Sequence, residues 1–422
     1  MRKTVISALI MILALILSSC SLSMSNSIDE LITAPALSEK QSSVLSTLTT
    51  DAAGSISFVY PVSGADRSAI RSVDLDNDGQ NEVLAFYLDS GEDVNAIMAV
   101  LERKEDGTYY IADKTFGIGD SIASFSFVSG TTPLLITEWT SRSKTSNSLN
   151  SYIYENETLE LGFEENCLKL TTIDIDDNGS SEFCYVAKTT SDTGYNVKLV
   201  SVQEDGLNVE GVIALDDECM NISGLYTGIT DKNKTSVFVD EITSSGLQTE
   251  VFSLNNSGMF SDAAYSGGYD VVSLSKREND GFLVSSSLNG ILHFPSRVKP
   301  STDTPDINNM VYWYTISDGE IVLGYSTLYS SDYQFAMSLP DHWLSDIRII
   351  HNDNTPKEFT VVSNEDGSIY ADLFVVDING SADGLVADGY RLIANSGVNR
   401  YYVRFSCSEE DKQYIKDNFF VF

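Results

Sequence analysis

The chain has little of what most enzyme active sites are built from. It contains only three histidines, His293, His342 and His351, and none of them lies in an H-E-x-x-H motif. It also lacks a G-x-S-x-G nucleophile elbow and a glycine-rich phosphate loop. We interpret each histidine as a surface or turn residue, and the sequence assigns no catalytic residue.

Cysteine is also scarce. Besides Cys20, the chain has four cysteines with no C-x-x-C pair and no histidine at a metal-ligand spacing: Cys167, Cys184, Cys219 and Cys407. This pattern predicts neither a disulfide framework nor a zinc site. Buried free thiols are the expected state, although an exported location would permit a disulfide.

Positive charge is the third deficit. Lys and Arg total 26 against 61 Asp and Glu, which gives a net charge of -35. Such a surface repels nucleic acid and anionic lipid headgroups, so we expect no nucleic-acid partner and favour divalent cations or basic partners. The alternative is an acidic surface that serves only solubility.

The longest apolar run is too short to cross a membrane. It extends from Val5 to Leu17 after Arg2 and Lys3, whereas a transmembrane helix needs about twenty apolar residues. A charged start, a short apolar run and small residues at its end describe a secretory signal peptide. We therefore predict that residues 1–19 are removed, which changes the net charge from -35 to -37 because two basic residues are lost.

The cleavage region, Leu17-Ser18-Ser19-Cys20, resembles the lipobox of bacterial lipoproteins. In that family the cysteine is acylated and becomes the first residue of the mature chain. The resemblance implies a protein that is lipid-anchored through Cys20 at the extracytoplasmic face of a cell membrane. The alternative is an ordinary signal peptide with an incidental cysteine.

The next segment, residues 20–54, is rich in Ser and Thr and is predicted to be a tether. A helix is predicted from Ser38 to Leu48, because Ser38-Glu-Lys-Gln41 fits a capping box. Short alternating apolar runs then begin at Ser55, and they are typical of strands separated by turns.

Apolar segments recur about every fifty residues, the length of a four-stranded propeller blade. The repeated segments are Ile70–Asp74, Ile122–Ser126, Leu170–Asp174, Ile222–Tyr226 and Tyr269–Ser273. A second strand is predicted after each of them, at Glu82–Tyr87, Leu134–Thr137, Phe183–Val186, Ser236–Val239 and Gly281–Val284. The predicted fold is mainly β, with a β-propeller of five to seven blades over residues 55–326. A strand starting near Ser55 is expected to complete the final blade, because ring closure removes exposed edges.

Two of the repeats carry a further motif. The frame D-x-D-x-[DN]-G-x-x-E occurs at Asp74–Glu82 and again at Asp174–Glu182. Calcium takes six to eight oxygen ligands, and alternating acidic residues on a tight loop aim carboxylates at one centre. Position twelve is Ala85 or Tyr185, so neither loop is an EF-hand. The alternative is a pair of turns whose acids are only solvated.

The loop and following strand resemble the calcium repeats of FG-GAP and VCBS propellers over about residues 55–326. The resemblance implies calcium as the bound ion, and it implies ligands in both loops: Asp74, Asp76, Asp78 and Glu82, and Asp174, Asp176, Asn178 and Glu182. Gln80 and Ser180 can add backbone carbonyls. The loop Asp231–Thr235 lacks the glycine and contains two lysines, so no metal is expected there.

Residues 327–422 are predicted to form a small α+β antiparallel sandwich. Six strands are expected at about 333–339, 346–351, 358–363, 371–377, 390–395 and 401–406, followed by a helix capped by Ser408. The stretch Phe335–Trp343 and the terminal helix resemble PsbP-like modules.

The preferred function is a calcium-stabilised binding or scaffold module for a surface protein or glycan. One alternative is a carbohydrate-active propeller, a lyase or glycosidase, that uses unassigned carboxylates and aromatic platforms such as Trp139 or Trp313. Another is an envelope assembly or sensing factor. An enzyme should show a deep pocket with converging acids, whereas a binder should show an exposed aromatic patch.

Overall fold

The computed structural model describes most of the chain from residue 39 onward. The described ranges are 39–52, 54–91, 95–128, 133–141, 147–189, 194–203, 206–231, 234–263, 265–266, 269–279, 283–298, 309–344, 346–352 and 354–422. The predicted signal peptide, Cys20 and the capping residue Ser38 lie outside them. As the sequence predicted, the described chain is mainly β and forms several antiparallel sheets.

A helix, α1 (Glu39–Asp51), precedes the sheets at the place where the sequence predicted one. Its Val44 and Leu48 side chains are fully buried against the first sheet. The hydroxyl of Thr47 donates to the carbonyl of Tyr109 at 3.0 Å, and Lys114 pairs with Asp51 at 2.7 Å. The helix therefore docks on the outer face of that sheet.

Four antiparallel sheets follow one another along the chain. Sheet 1 contains β1 (Ile56–Phe58), β2 (Ile70–Val73), β3 (Glu82–Asp89), β4 (Ile97–Arg103) and β5 (Tyr109–Phe116). Sheet 2 contains β6 (Ser121–Val128), β7 (Leu134–Thr140), β8 (Asn147–Glu155) and β9 (Thr158–Cys167). Sheet 3 contains β10 (Lys169–Ile173), β11 (Glu182–Lys188), β12 (Tyr195–Gln203) and β13 (Gly206–Ala214). Sheet 4 starts with β14 (Asn221–Asp231), β15 (Lys234–Thr243), β16 (Gly246–Leu254) and β17 (Phe260–Asp262).

Successive sheets share apolar clusters, and their middle strands are buried on both faces. Phe86 of sheet 1 and Trp139 of sheet 2 lie in one cluster, with ring centroids 6.2 Å apart. Other clusters join sheet 2 to sheet 3 and sheet 3 to sheet 4. Because both faces of these middle strands are covered, strands such as β3 consist of nearly continuous apolar residues.

The chain after sheet 4 contains short elements and then long strands. The short elements are β18 (Tyr265–Ser266), β19 (Tyr269–Asp270), helix α2 (Val271–Ser275) and β20 (Ser286–Leu288). The next strands are β21 (Ile291–Ser296), β22 (Met310–Ser317), β23 (Glu320–Ser330) and β24 (Phe335–Leu339). A 3-10 turn (Asp341–Trp343) leads to β25 (Ile347–Asn352), β26 (Thr355–Ser363) and β27 (Ile369–Asp377). The chain ends with α3 (Asp383–Ala387), β28 (Arg391–Asn395), β29 (Asn399–Phe405), α4 (Glu409–Asp417) and β30 (Phe419–Val421).

Sheet 4 extends into this C-terminal part through a parallel bridge between Ile229 and Ile291. Its strand order is β17-β16-β15-β14-β21-β22-β23-β24-β30. A fifth sheet has the order β25-β26-β27-β29-β28, and one core that includes Phe335, Phe359 and Tyr401 joins it to sheet 4. The predicted boundary between residues 326 and 327 falls inside β23 and is therefore wrong.

The repeat pattern fails in two places. Val271–Ser275 is helical, although Tyr269–Ser273 was predicted as a strand, because the Asp270 carboxylate caps a helical turn by accepting from the Ser273 amide at 2.6 Å. Leu283 and Val284, the described part of the strand predicted after it, are not in a strand.

The strand near Ser55 does not complete a final blade. It is β1, which pairs with β3 inside sheet 1 through Ile56 and Asp89. The outer face of sheet 1 is covered by α1, and in the described part of the chain no apolar cluster joins sheet 1 to strands beyond β9. The number of blades stays a prediction.

The C-terminal strands match the prediction closely. All six predicted strands are present as β24 to β29, although the first of them lies in the extended sheet 4. The terminal helix α4 is capped as predicted, because the Ser408 hydroxyl accepts from the Asp411 amide at 3.1 Å.

Candidate metal loops

Two loops with the same sequence frame occupy equivalent places in sheets 1 and 3. The first connects β2 to β3, and the second connects β10 to β11. Gly79 and Gly179 have φ angles of 86° and 88°, and the preceding turn residues Asn77 and Asp177 have φ angles of 62° and 58°. Glycine adopts this left-handed region freely and Asn and Asp tolerate it, so the frame folds locally into a tight turn.

The first loop turns its carboxylates inward. Asp74 accepts from the Gly79 amide and Asp76 from the Asp78 amide, both at 3.1 Å. Oxygens of Asp74, Asp76 and Asp78 all lie within 4.8 Å of one another. The Oδ1 atom of Asp74 is buried and has no hydrogen-bond partner.

The second loop repeats this arrangement. Asp174 accepts from the Gly179 amide at 2.9 Å, and Asp176 accepts from the Asn178 amide at 3.2 Å. Oxygens of Asp174, Asp176 and Glu182 lie within 4.8 Å of one another. Asn178 stands where the first loop has Asp78, so the predicted ligands of this loop carry one negative charge fewer, although Asp177 gives both loops the same number of acidic residues.

The ninth residue of each frame is a glutamate that accepts a hydrogen bond from the backbone near the start of its own loop. Glu82 is 1 % exposed and accepts from the Leu75 amide at 2.6 Å, and Glu182 accepts from the Ile175 amide at 3.0 Å. Burial raises the pKa of Glu82 to about 7, with Glu102 and Asp76 adding to the rise and the Leu75 hydrogen bond opposing it. Burial likewise raises the pKa of Glu182.

The remaining predicted ligands lie at the same turns. The amide of Gln80 donates to Asp78 at 2.6 Å, and the amide of Ser180 donates to Asn178 at 2.7 Å. The predicted role of their carbonyls as metal ligands stays a prediction. The lysine-containing loop, Asp231–Thr235, lies partly outside the described residues.

The donor set fits a hard divalent cation. It is made of oxygen atoms, and clustered carboxylates repel one another unless a cation or proton lies between them. The unpartnered Oδ1 of Asp74 is an oxygen that such an ion would satisfy. Hydrogen bonds from the turn amides orient the other carboxylates before any ion arrives. In the described part of the chain, these are the two places where three or more acidic, histidine or cysteine side chains converge in this way.

The histidines and tryptophans form no comparable site. His293 is buried, which lowers its pKa to about 4, and His351 stacks on Phe359 at 4.4 Å. Trp139 and Trp313 are 0 % and 6 % exposed. The suggestion that Trp139 forms an aromatic platform is wrong, because it belongs to the apolar core between sheets 1 and 2. Trp313 packs in an apolar cluster but also lines a pocket of about 240 Å³ with Tyr325 and Tyr329, so its role as a platform stays a prediction.

Sequence reasoning missed a pair of neighbouring acids in sheet 4, Glu241 and the half-buried Glu250. Glu241 is fully buried, its carboxylate lies beside that of Glu250, and burial together with this like charge raises its pKa. The signal was present in β15, where Glu241 continues the inward-facing series of Val237 and Val239. An acid at such a position is expected to be buried.

The comparisons with known proteins identify no family. No family model and no curated protein matches the chain. Similar solved structures include an exotype rhamnogalacturonan lyase, with 13% identity and a TM-score of 0.28, over 74% of this chain and 55% of the lyase. The AfRom2 CNH domain matches with 9% identity and a TM-score of 0.26, over 81% of this chain and 94% of the domain. A protein from Lactobacillus plantarum matches with 12% identity and a TM-score of 0.22, over 74% of this chain and 93% of that protein.

Likenesses at these TM-scores support no inference about function, and the chain spans little more than half the length of the lyase. Among the described residues, no helix is long and apolar enough to cross a membrane.

Proposed function

We propose that the chain is a lipid-anchored, extracytoplasmic binding module whose stacked sheets are held in place by calcium. One observation carries the proposal: two loops with the same frame gather acidic oxygens at equivalent strand connections, and each is closed by a buried glutamate. Two unrelated turns with solvated acids are not expected to share the sequence frame, the cluster of acidic oxygens and the buried glutamate.

Calcium acts here as a structural clip. Each ion would be held by Asp74, Asp76, Asp78 and Glu82 in the first loop, or by Asp174, Asp176, Asn178 and Glu182 in the second. The first loop joins β2 to β3 in sheet 1 and the second joins β10 to β11 in sheet 3, so a bound ion restrains that strand connection. Extracellular modules bind calcium with Kd values of roughly 0.1–1 mM. At millimolar calcium each site would therefore add on the order of 1 kcal/mol to the free energy of unfolding.

The four stacked sheets are the blades of a propeller-like body in this proposal. Their faces are buried against one another and, in sheet 1, against α1. The edges and loops are then the surfaces left for a ligand. A rigid scaffold with loops at its rim is a common arrangement for binding proteins.

The anchor rests on the N-terminal sequence. Arg2 and Lys3, the apolar run and Cys20 fit export followed by acylation. Stable membrane attachment needs more than one acyl chain, which a diacylated cysteine supplies. An acidic body of this charge is repelled by anionic headgroups, so the lipid rather than the protein surface would hold it at the membrane.

The anchor is tested by producing the full chain in a bacterium fed an alkyne analogue of palmitate. The wild-type chain and the control Cys407→Ser are expected to incorporate the label and partition into detergent. Cys20→Ser is expected to do neither. Labelling that survives in Cys20→Ser, or its absence from the wild type, would contradict the lipoprotein assignment.

A further inference from the structure

A cleft of about 680 Å³ opens between sheets 2 and 3. Its walls are β6, β10, the segment 63–65 and the end of the second metal loop at Ser180 and Ser181. The segment 63–65 is fixed against β6, because the Ser63 amide donates to the Ala123 carbonyl at 2.8 Å. The volume lies within the range of about 300–1,000 Å³ that is typical of small-molecule sites.

Seven of the residues that line the cleft carry a hydroxyl group. They are Ser63, Ser124, Ser126, Thr171, Thr172, Ser180 and Ser181. A hydroxyl both donates and accepts hydrogen bonds, so such a surface suits a ligand that carries many hydroxyls of its own. Apolar side chains such as Phe183 and Val202 complete the wall, and they can contact the C–H faces of a sugar ring.

Glu138 is the one ionisable side chain among the cleft-lining residues that the structure describes. Its carboxylate accepts from the Asn147 side-chain amide at 2.8 Å and from the Ser124 hydroxyl at 3.2 Å. These bonds fix its orientation, and burial raises its pKa. Among the described residues that line the cleft there is no lysine or arginine, so none of them would compensate the charge of an anionic ligand on a protein that is already acidic.

We propose that this cleft binds a neutral, hydroxyl-rich ligand, namely a short neutral oligosaccharide or the end of a neutral glycan. Glu138 orients the ligand by accepting from its hydroxyls. This inference deepens the proposed function, because it places the ligand site of the binding module and names the class of its ligand.

The second metal loop supplies one wall and therefore couples the cleft to calcium. In sequence, Ser180 and Ser181 lie between Asn178, a predicted metal ligand, and the buried Glu182. The Ser180 amide donates to the Asn178 side chain. A metal ion in this loop would hold both serines in place. Loss of metal binding at the second loop should therefore weaken sugar binding more than loss of metal binding at the first loop, which contributes no residue to the cleft.

The test is a titration of the soluble chain from residue 21 with cellotriose, mannotriose and chitotriose, and with trigalacturonate as the acidic probe. Binding is followed by ligand-observed NMR in millimolar calcium. Thr172→Trp fills the cleft from an exposed strand position, so it should fold and lower affinity at least about tenfold, or 1.4 kcal/mol. Thr158→Trp, an exposed position in β9 outside the cleft, is the matched control and should bind as the wild type does.

The inference holds if a neutral probe binds the wild type and the control, binds Thr172→Trp weakly, and binds Asp176→Ala less well than Asp76→Ala. It is overturned if no neutral probe binds at about 10 mM, well above the weak-binding scale of 1 mM, if Thr172→Trp binds normally, or if trigalacturonate binds better. Calcium titration of the same samples separates the two claims. Calcium binding without sugar binding would refute the proposed ligand site alone. Sugar binding without calcium binding would refute the proposed structural role of calcium.

Discussion

The carboxylate of Glu82 accepts a 2.6 Å hydrogen bond from the amide of Leu75, and so ties the end of the first metal loop to its beginning. Glu182 and Ile175 repeat the bond at 3.0 Å in the second loop. The side chains of Leu75 and Ile175 are buried in the clusters between sheets 1 and 2 and between sheets 3 and 4. Each glutamate therefore links a candidate metal loop to the packing between sheets.

Substituting these glutamates separates folding from metal binding. In Glu82→Gln the side-chain oxygen can still accept from Leu75, so we expect the calcium-free chain to keep its fold. The lost negative charge should weaken calcium binding at that loop by about tenfold, because ligand charge sets affinity in such sites. Circular dichroism checks the fold, and calcium titration checks the affinity.

Glu102→Gln is the matched control, because Glu102 lies near the loop but was not predicted as a ligand. It should weaken calcium binding less than Glu82→Gln does. Unchanged calcium affinity in Glu82→Gln would show that Glu82 only stabilises the loop through its hydrogen bond from Leu75 and is not a calcium ligand.

The packing of α1 on sheet 1 is tested by Leu48→Ala. Leu48 is fully buried, and leucine-to-alanine changes in a core cost about 2–5 kcal/mol. Denaturant unfolding should show a loss of that size, while the exposed control Ser46→Ala should stay within about 0.5 kcal/mol of the wild type. An unchanged midpoint for Leu48→Ala would mean that the helix does not cover this face.

The pair of Glu241 and Glu250 predicts lower stability at high pH. Glu241 faces Glu250, and Asp216 and Cys219 lie nearby; burial raises the pKa of Glu241 above its ordinary value of 4.5. Because the folded chain then holds its proton more tightly than the unfolded chain, this contribution is complete below about pH 4.5 and is lost as the pH rises through the raised pKa.

Glu241→Gln should remove that dependence, since a neutral amide needs no proton and can still accept from Gln248. Melting temperatures between pH 5 and pH 9, a range chosen to lie above the ordinary pKa of a glutamate, should fall less for this variant than for the wild type. The exposed Glu160→Gln should follow the wild type. Parallel curves for all three proteins would contradict a raised pKa of Glu241 in the folded chain.

How far the sequence predicts the structure depends on whether the deciding interactions are local. The C-terminal strands and the Ser408 cap were predicted because alternation and capping are local patterns. The helix at Val271–Ser275 was missed because the Asp270 cap outweighs the β propensity of two valines. The pairing of β1 with β3 is a tertiary choice, and no turn signal marks it.

The same contrast holds for the sites. Both acidic loops are continuous in sequence, so their frame could be recognised directly. Glu138 could not be singled out among 61 acidic residues, because its cleft is formed by strands that are distant in the chain. Nor does the sequence show that Trp139 lies in the core between two sheets.

Calcium titration of the metal-stripped chain from residue 21 tests the central claim most directly. Calorimetry should show two sites in the wild type, one in Asp76→Ala and one in Asp176→Ala, with calcium raising the melting temperature. Asp106→Ala, which removes an exposed acid from an unrelated turn, should keep both sites. No binding at about 10 mM calcium, roughly ten times the weakest affinity expected of extracellular modules, would contradict the account and reduce both loops to hydrogen-bonded turns.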